Sequence, residues 1–207
     1  MIQYHKIQSV FKRDWNTKKI IDGDYTLPEF KFLKDNTWDF TEKFDGMNVR
    51  IMFDGETVTF GGKTDRAQMP KQLLHRLEER FLPQLELFKC TFDCQVCFYG
   101  EGIGSKIQKG GGLYRADQDF ILFDILIDRW WLTRQNLETL ASRFNIDIVP
   151  IIGRGTLSQA VEKTRQGFNS VCGNFIAEGI VARPHVELKL RNGQRIITKI
   201  KYKDFAR

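Results

Sequence analysis

Apolar alternation of strand type recurs along this chain at 47–53, 57–60, 92–100, 120–127, 148–152, 175–182, 186–191 and 195–202, and two of the gaps contain the dipeptides Asp54-Gly55 and Asn192-Gly193. Such dipeptides accept the positive φ angles of a tight hairpin turn and so tie neighbouring strands antiparallel. Helical spacing is confined to separate blocks: about 70–88, where Leu73, Leu74, Leu77 and Phe81 form a stripe; 133–144, N-capped by Thr133; and about 156–168. A doubly wound parallel sheet needs helices alternating with strands, which this order does not supply. The pattern predicts an α+β fold with antiparallel sheets.

At 207 residues the chain can bury a sizeable core without staples. Nothing repeats, and no stretch is rich enough in Pro, Gly or Ser to serve as a linker, so one domain over 1–207 is expected. The first residues, MIQYHKIQSVFKRDWNTKK, scatter charges through any apolar run. That excludes a secretion signal or membrane span there and leads to the expectation of a soluble, cytoplasmic protein with no membrane partner. Cys90, Cys94 and Cys97 run as C-x3-C-x2-C, with Cys172 far away. Strand alternation sends Cys94 and Cys97 to opposite faces, so reduced, mostly buried thiols are expected rather than a metal cage. Lys and Arg exceed Asp and Glu, giving a net charge of +6. A basic surface suited to phosphates follows.

Lys43 stands in "TEKFDGMNVRI", two residues before Asp45-Gly46. Alone, K-x-D-G reads as a hairpin turn with a solvated lysine; a nucleophilic lysine needs a neutral amine, hence desolvation or nearby cations. The C-terminal "RIITKIKYKDF" spaces Lys199, Lys201 and Lys203 two apart, which on a strand puts three ammonium groups on one face. They read either as protection of an edge strand or as a seat for a triphosphate. "CFYGEGIGSKIQKGGG" runs from Glu101 into a glycine-rich loop, "FILFDILID" drops Asp124 into an apolar strand, and "AEGIVARP" sets Glu178 and Arg183 around a short one. A carboxylate in an apolar strand is costly unless paired or holding a metal.

In order, E-K-x-D-G, F-G-G-K-T, Y-G-E-G, F-x-x-F-D-I, E-G-I-V-x-R and K-I-K-x-K over residues 42–203 resemble the nucleotidyltransferase motifs of ATP-dependent ligases and capping enzymes. Asn48, five residues after Lys43, makes the chain most similar to phage-type, nick-sealing RNA ligases. The resemblance implies an ATP-grasp-like adenylation domain with no C-terminal OB or other appended domain. It implies joining of RNA 5′-phosphate and 3′-hydroxyl ends through AMP held covalently on Lys43, then through 5′-adenylated RNA. By the same resemblance, Lys199 and Lys201 contact the α-phosphate and lower the pKa of Lys43, with Lys203 the alternative register. Glu178, with Asp124, is linked to Mg2+ or Mn2+; Phe123 stacks on adenine, Glu42 reads its edge and Glu101 holds the ribose. Lys63, by the same resemblance a contact to the ribose or phosphates of the nucleotide, stands where relatives often carry arginine. Asn48 and Arg50, sharing a strand face, orient the RNA ends, or are two solvated residues of a half-exposed strand. Residues 1–40, with Lys6, Lys12, Arg13, Lys18 and Lys19, form a basic surface or a solvated face. A DNA ligase core, a capping guanylyltransferase and a nucleic-acid-binding module that has lost the chemistry are the competing readings. Oligomeric state is left open.

Overall fold

In the computed structural model, which describes residues 3–206, the first part of the chain forms β1 (Gln8–Ser9), β2 (Phe11–Arg13), β3 (Ile20–Tyr25), α1 (Pro28–Phe32) and β4 (Trp38–Lys43). The middle forms β5 (Met47–Phe53), β6 (Val58–Gly61), α2 (Lys71–Phe81), α3 (Leu85–Thr91), β7 (Val96–Gly104), α4 (Gly111–Tyr114), β8 (Gln118–Ile127), β9 (Trp130–Trp131) and α5 (Arg134–Arg143). The last part forms β10 (Ile151–Gly155), α6 (Leu157–Gln166), β11 (Gly179–Pro184) and β12 (Thr198–Lys201). The elements gather into two compact units, Asp45–Val149 with Tyr4, and His5–Phe44 with the chain from Pro150 onward.

The central unit is a sheet in the order β6-β5-β7-β8-β9, every neighbouring pair antiparallel. Period-two alternation sends Val49, Ile51 and Phe53 of β5 to the face where Phe98, Phe120 and Leu122 meet Leu73, Leu77 and Phe81 of α2. The helical stripe expected at 70–88 is present but divided: Pro83, which has no N–H to continue the ladder, sits in a 3-10 turn at Leu82–Gln84 between α2 and α3. Thr133 caps α5, its Oγ accepting from Asn136 N at 3.4 Å. Asp54-Gly55 makes the β5–β6 hairpin, with Gly55 at φ 106°.

The terminal unit is a sheet in the order β1-β12-β11-β4-β10 with a separate β2–β3 ribbon. Its neighbours are antiparallel except β1 against β12, which is parallel. The core gathers Phe30, Trp38, Phe40, Leu157, Ile180, Ala182 and Ile200, and α6 is started by a capping box between Thr156 and Gln159. Asn192-Gly193 does turn the chain, but the strand expected at 186–191 is reduced to an isolated bridge between Lys189 and Arg195.

Two sequence expectations change here. Asp45-Gly46 is not a hairpin, because β4 and β5 belong to different sheets. Gly46 is needed for a close approach instead: a Cβ there would lie 2.1 Å from the Gly102 carbonyl oxygen. The thiols are not mostly buried, since only Cys97 is; Cys90 and Cys172 are exposed and Cys94 is intermediate, all four free.

Candidate active site

Strand β4 alternates cleanly: Trp38, Phe40 and Glu42 are buried, while Asp39, Thr41 and Lys43 are partly open. Lys43 therefore projects from the face of the sheet opposite the Trp38–Phe40 core side. Strand β11 lies between β4 and β12, and its first residue, Gly179, is paired with Lys43 on one side and Lys201 on the other. This register brings two lysines distant in sequence to the same level of the sheet. Glu178, one residue before Gly179, joins them: Lys43 Nζ lies 2.5 Å from Oε2 and Lys201 Nζ 2.6 Å from Oε1. The two lysine side chains keep 20% and 21% of their surface, so a ligand can reach both.

Lys199, opposite Val181, shares the Lys201 face of β12 by alternation. Lys203 does not. Tyr202 N donates to Glu178 O at 2.9 Å, the chain turns into a 3-10 turn at Tyr202–Asp204, and Lys203 is exposed beyond the strand. The face of three lysines expected from their spacing thus contains two. Glu42 points the other way, 1% exposed, its carboxylate accepting from Ser170 Oγ at 2.6 Å and from Val171 N at 2.9 Å. Neither donor carries any signal in the sequence.

In the central unit, Asn48 pairs with Glu101 across β5 and β7, and Arg50 with Tyr99, on the face opposite the hydrophobic core. Arg50 is no solvated strand residue: it is 0% exposed, Nε donating to Gly62 O at 2.7 Å and Nη2 to Asp65 Oδ1 at 2.8 Å. These bonds fasten the loop after β6, which carries the exposed Lys63. That guanidinium holds Asp65 below the ordinary carboxylate range. Within the same face, the Asn48 Oδ1 is buried without a hydrogen-bond partner among the described residues.

Phe123 sits where the β7–β8 register shifts between Tyr99 and Gly100, so it is the extra residue of a β-bulge, and it is only half-buried. A bulge re-aims its side chain, which separates Phe123 from the fully buried residues of an otherwise apolar strand. Its ring meets Tyr4 edge-on at 5.0 Å. Asp124 is 0% exposed and accepts from the Tyr4 hydroxyl at 2.7 Å, a partner 120 residues away that makes its burial tolerable. The pairing open in the sequence reading is therefore supplied by a tyrosine. Among the described residues no cluster of three or more His, Cys, Asp or Glu is placed to hold a metal ion.

A family model described as RNA ligase matches residues 36–202. Among solved structures the chain is similar to Naegleria gruberi RNA ligase with PPi, with a TM-score of 0.70 and 20% identity over 97% of this chain and 56% of that one. It is also similar to an apo mutant of that ligase, with a TM-score of 0.71 and 19% identity over 99% and 57%, and to a mutant with AMP and Mn, with a TM-score of 0.70 and 20% identity over 97% and 56%. At these identities the likeness is one of fold, and this chain spans little more than half the length of those relatives.

Proposed function

This chain belongs to the RNA ligase family, and on that premise we propose that it is an ATP-dependent enzyme joining the 5′-phosphate and 3′-hydroxyl ends of RNA through an adenylate carried on Lys43. The observation that supports this most is the carboxylate of Glu178 shared between Lys43 and Lys201. An isolated surface lysine has no use for a second cation at its own level of the sheet.

In the first step Lys43 leaves Glu178 and loses its proton to solvent water, and its Nζ attacks the α-phosphorus of ATP; the P–N bond forms as the bond to pyrophosphate breaks. Lys199 and Lys201 stabilise the charge that gathers on the α-phosphate oxygens. In the second step a 5′-phosphate oxygen of RNA attacks that phosphorus, and the electron pair of the P–N bond returns to Lys43. In the third, the 3′-hydroxyl attacks the adenylated 5′-phosphorus and AMP departs. Asn48, whose buried amide oxygen has no hydrogen-bond partner among the described residues, is assigned to orienting the RNA ends. Arg50 acts indirectly, by fixing the loop that carries Lys63, which is assigned to the nucleotide. Phe123 is the adenine neighbour and Glu101 the ribose partner. Glu42, bound by Ser170 and Val171 on the face of β4 away from Lys43, is assigned to fixing the strand of the nucleophile rather than to reading the adenine edge.

Mg2+ commonly binds through one or two carboxylates, substrate phosphates and water rather than in an all-protein cage. A lone Glu178 fits that mode, and the ion held there would supply charge neutralisation at the phosphates. The deciding experiment is incubation with ATP labelled at the α-phosphate. The protein becomes labelled, Lys43→Ala does not, and nicked RNA is sealed faster than the same nick in DNA. Labelling by GTP in preference to ATP would turn the assignment to capping, and equal sealing of DNA would defeat the choice of RNA.

A further inference from the structure

β1 joins the edge of the sheet beside β12, with Gln8 opposite Thr198 and Ser9 opposite Lys199, and Val10 N donates to Lys199 O at 3.1 Å. This parallel pairing brings the N-terminal segment, which the sequence leaves as an undifferentiated basic stretch, alongside the strand of the catalytic lysines. Between them runs an open groove of about 690 Å3 lined by Lys6, Lys12, Arg13, Lys199, Lys201 and Lys203. The carboxylate on its wall, Asp204, is bound by Arg13 at 2.5 Å, and Lys12 is bound by Asp24 at 2.8 Å. Lys6 and Lys203 are exposed and have no ion-pair partner among the described residues.

We propose that this groove is a seat for the phosphodiester backbone of the RNA strand, leading it to Lys201 and so to the reacting amine. The inference rests on the ligase reading and adds a binding surface to it. Like charges gathered along one groove repel unless a polyanion lies among them. The groove is several times larger than a diphosphate requires and continues past the end of β12 to Lys203. Its cations are mostly lysines, compact charges that meet phosphates without demanding one geometry. The aromatic ring on its wall, Phe11, is buried in the core and gives bases nothing to stack on. Contacts of this kind position a strand and do not read its sequence.

The test uses the full chain and an RNA oligonucleotide ending in a 5′-hydroxyl, which binds but cannot react, with affinity measured by fluorescence anisotropy over a series of salt concentrations. Lys6→Gln combined with Lys203→Gln weakens binding and flattens the slope of log affinity against log salt by about 1.4, at about 0.7 for each lost single-strand phosphate contact. Lys6→Arg with Lys203→Arg keeps both affinity and slope, and ATP labelling of Lys43 is the same in all three proteins. Unchanged RNA affinity and slope in the glutamine pair would overturn the proposal and leave a solvated face. A raised KM for ATP with RNA binding intact would overturn it too, assigning the groove to the polyphosphate of the nucleotide. Failure of the ligase reading shows separately, as a wild-type protein that ATP does not label.

Discussion

Lys43 and Lys201 hold opposite oxygens of one carboxylate, Glu178, at 2.5 and 2.6 Å, from strands on either side of β11. Glu178→Gln keeps the shape and removes the charge. ATP-dependent labelling is expected to fall by about a hundredfold or more, the scale for losing one charge-stabilising group in an active site. Thermal stability falls as well, because the pairs are part-buried and the glutamine leaves two ammonium groups at one level of the sheet without their counter-charge. Full labelling by the variant would remove Glu178 from the chemistry.

On the proposed mechanism the lysines of β12 and the polar residue of β5 serve different steps. Lys199→Ala and Lys201→Ala are expected to block self-labelling, whereas Asn48→Ala labels normally and fails to seal nicked RNA. Single-turnover assays with ATP, and separately with pre-adenylated RNA, distinguish the two. Normal labelling in both lysine variants would mean that β12 does not serve the nucleotide.

Gly179 allows the two lysines to flank one backbone position. Its φ is +153°, and a Cβ there would lie 2.0 Å from the Ile200 carbonyl oxygen in the next strand. Gly179→Ala has to push β12 away, so about 2 kcal/mol or more of stability is lost, in the range of severe backbone and packing conflicts. Urea unfolding measures this. A variant as stable as the parent and fully active would show that the close strand spacing is not needed.

Arg50→Met replaces a buried guanidinium with an apolar chain of similar length. Some stability is lost, since the Gly62 carbonyl loses its donor, while Asp65, largely exposed, stays solvated. The loop loses its bonds from Arg50 to Gly62 O and Asp65, so initial trypsin cuts after Lys63 and Arg66 become faster, and KM for ATP rises more than kcat falls. Arg50→Lys does not restore the loop, because one ammonium cannot reproduce the two-point fork. Mass analysis of the first cleavage products settles the matter.

Thiol reactivity follows burial. Burial pushes the Cys97 thiol up to about 11, opposed weakly by the Tyr99 contact and the charge of Arg50. At pH 8 it stays protonated and out of reach, so a disulfide reagent titrates Cys90 and Cys172 first and Cys97 only after unfolding. Cys94, raised by burial and by Asp93, reacts between them. Rapid modification of Cys97 in the native protein would contradict its placement in β7.

Much of this was legible from local pattern. The β5–β6 hairpin, the α2 stripe and the Thr133 cap follow from spacing a few residues long. β4 was not legible: "WDFTEK" is short and half charged, and its alternation is apparent only once Trp38 and Phe40 have a core to face. Lys43 stands out as a candidate, but its K-x-D-G context reads as a turn. Only the two-sheet arrangement shows that the chain crosses there.

By itself the sequence determined the kind of sheet, the helix positions and the order of the chemical groups, because periodicity and turn chemistry act between near neighbours. The tertiary structure alone decided which groups meet: Glu178 with a lysine 135 residues away, Glu42 with a serine 128 away, Asp124 with a tyrosine 120 away. No local pattern encodes such pairs. They exist because strand order and register, set by which apolar faces pack together, place distant residues at the same level of a sheet.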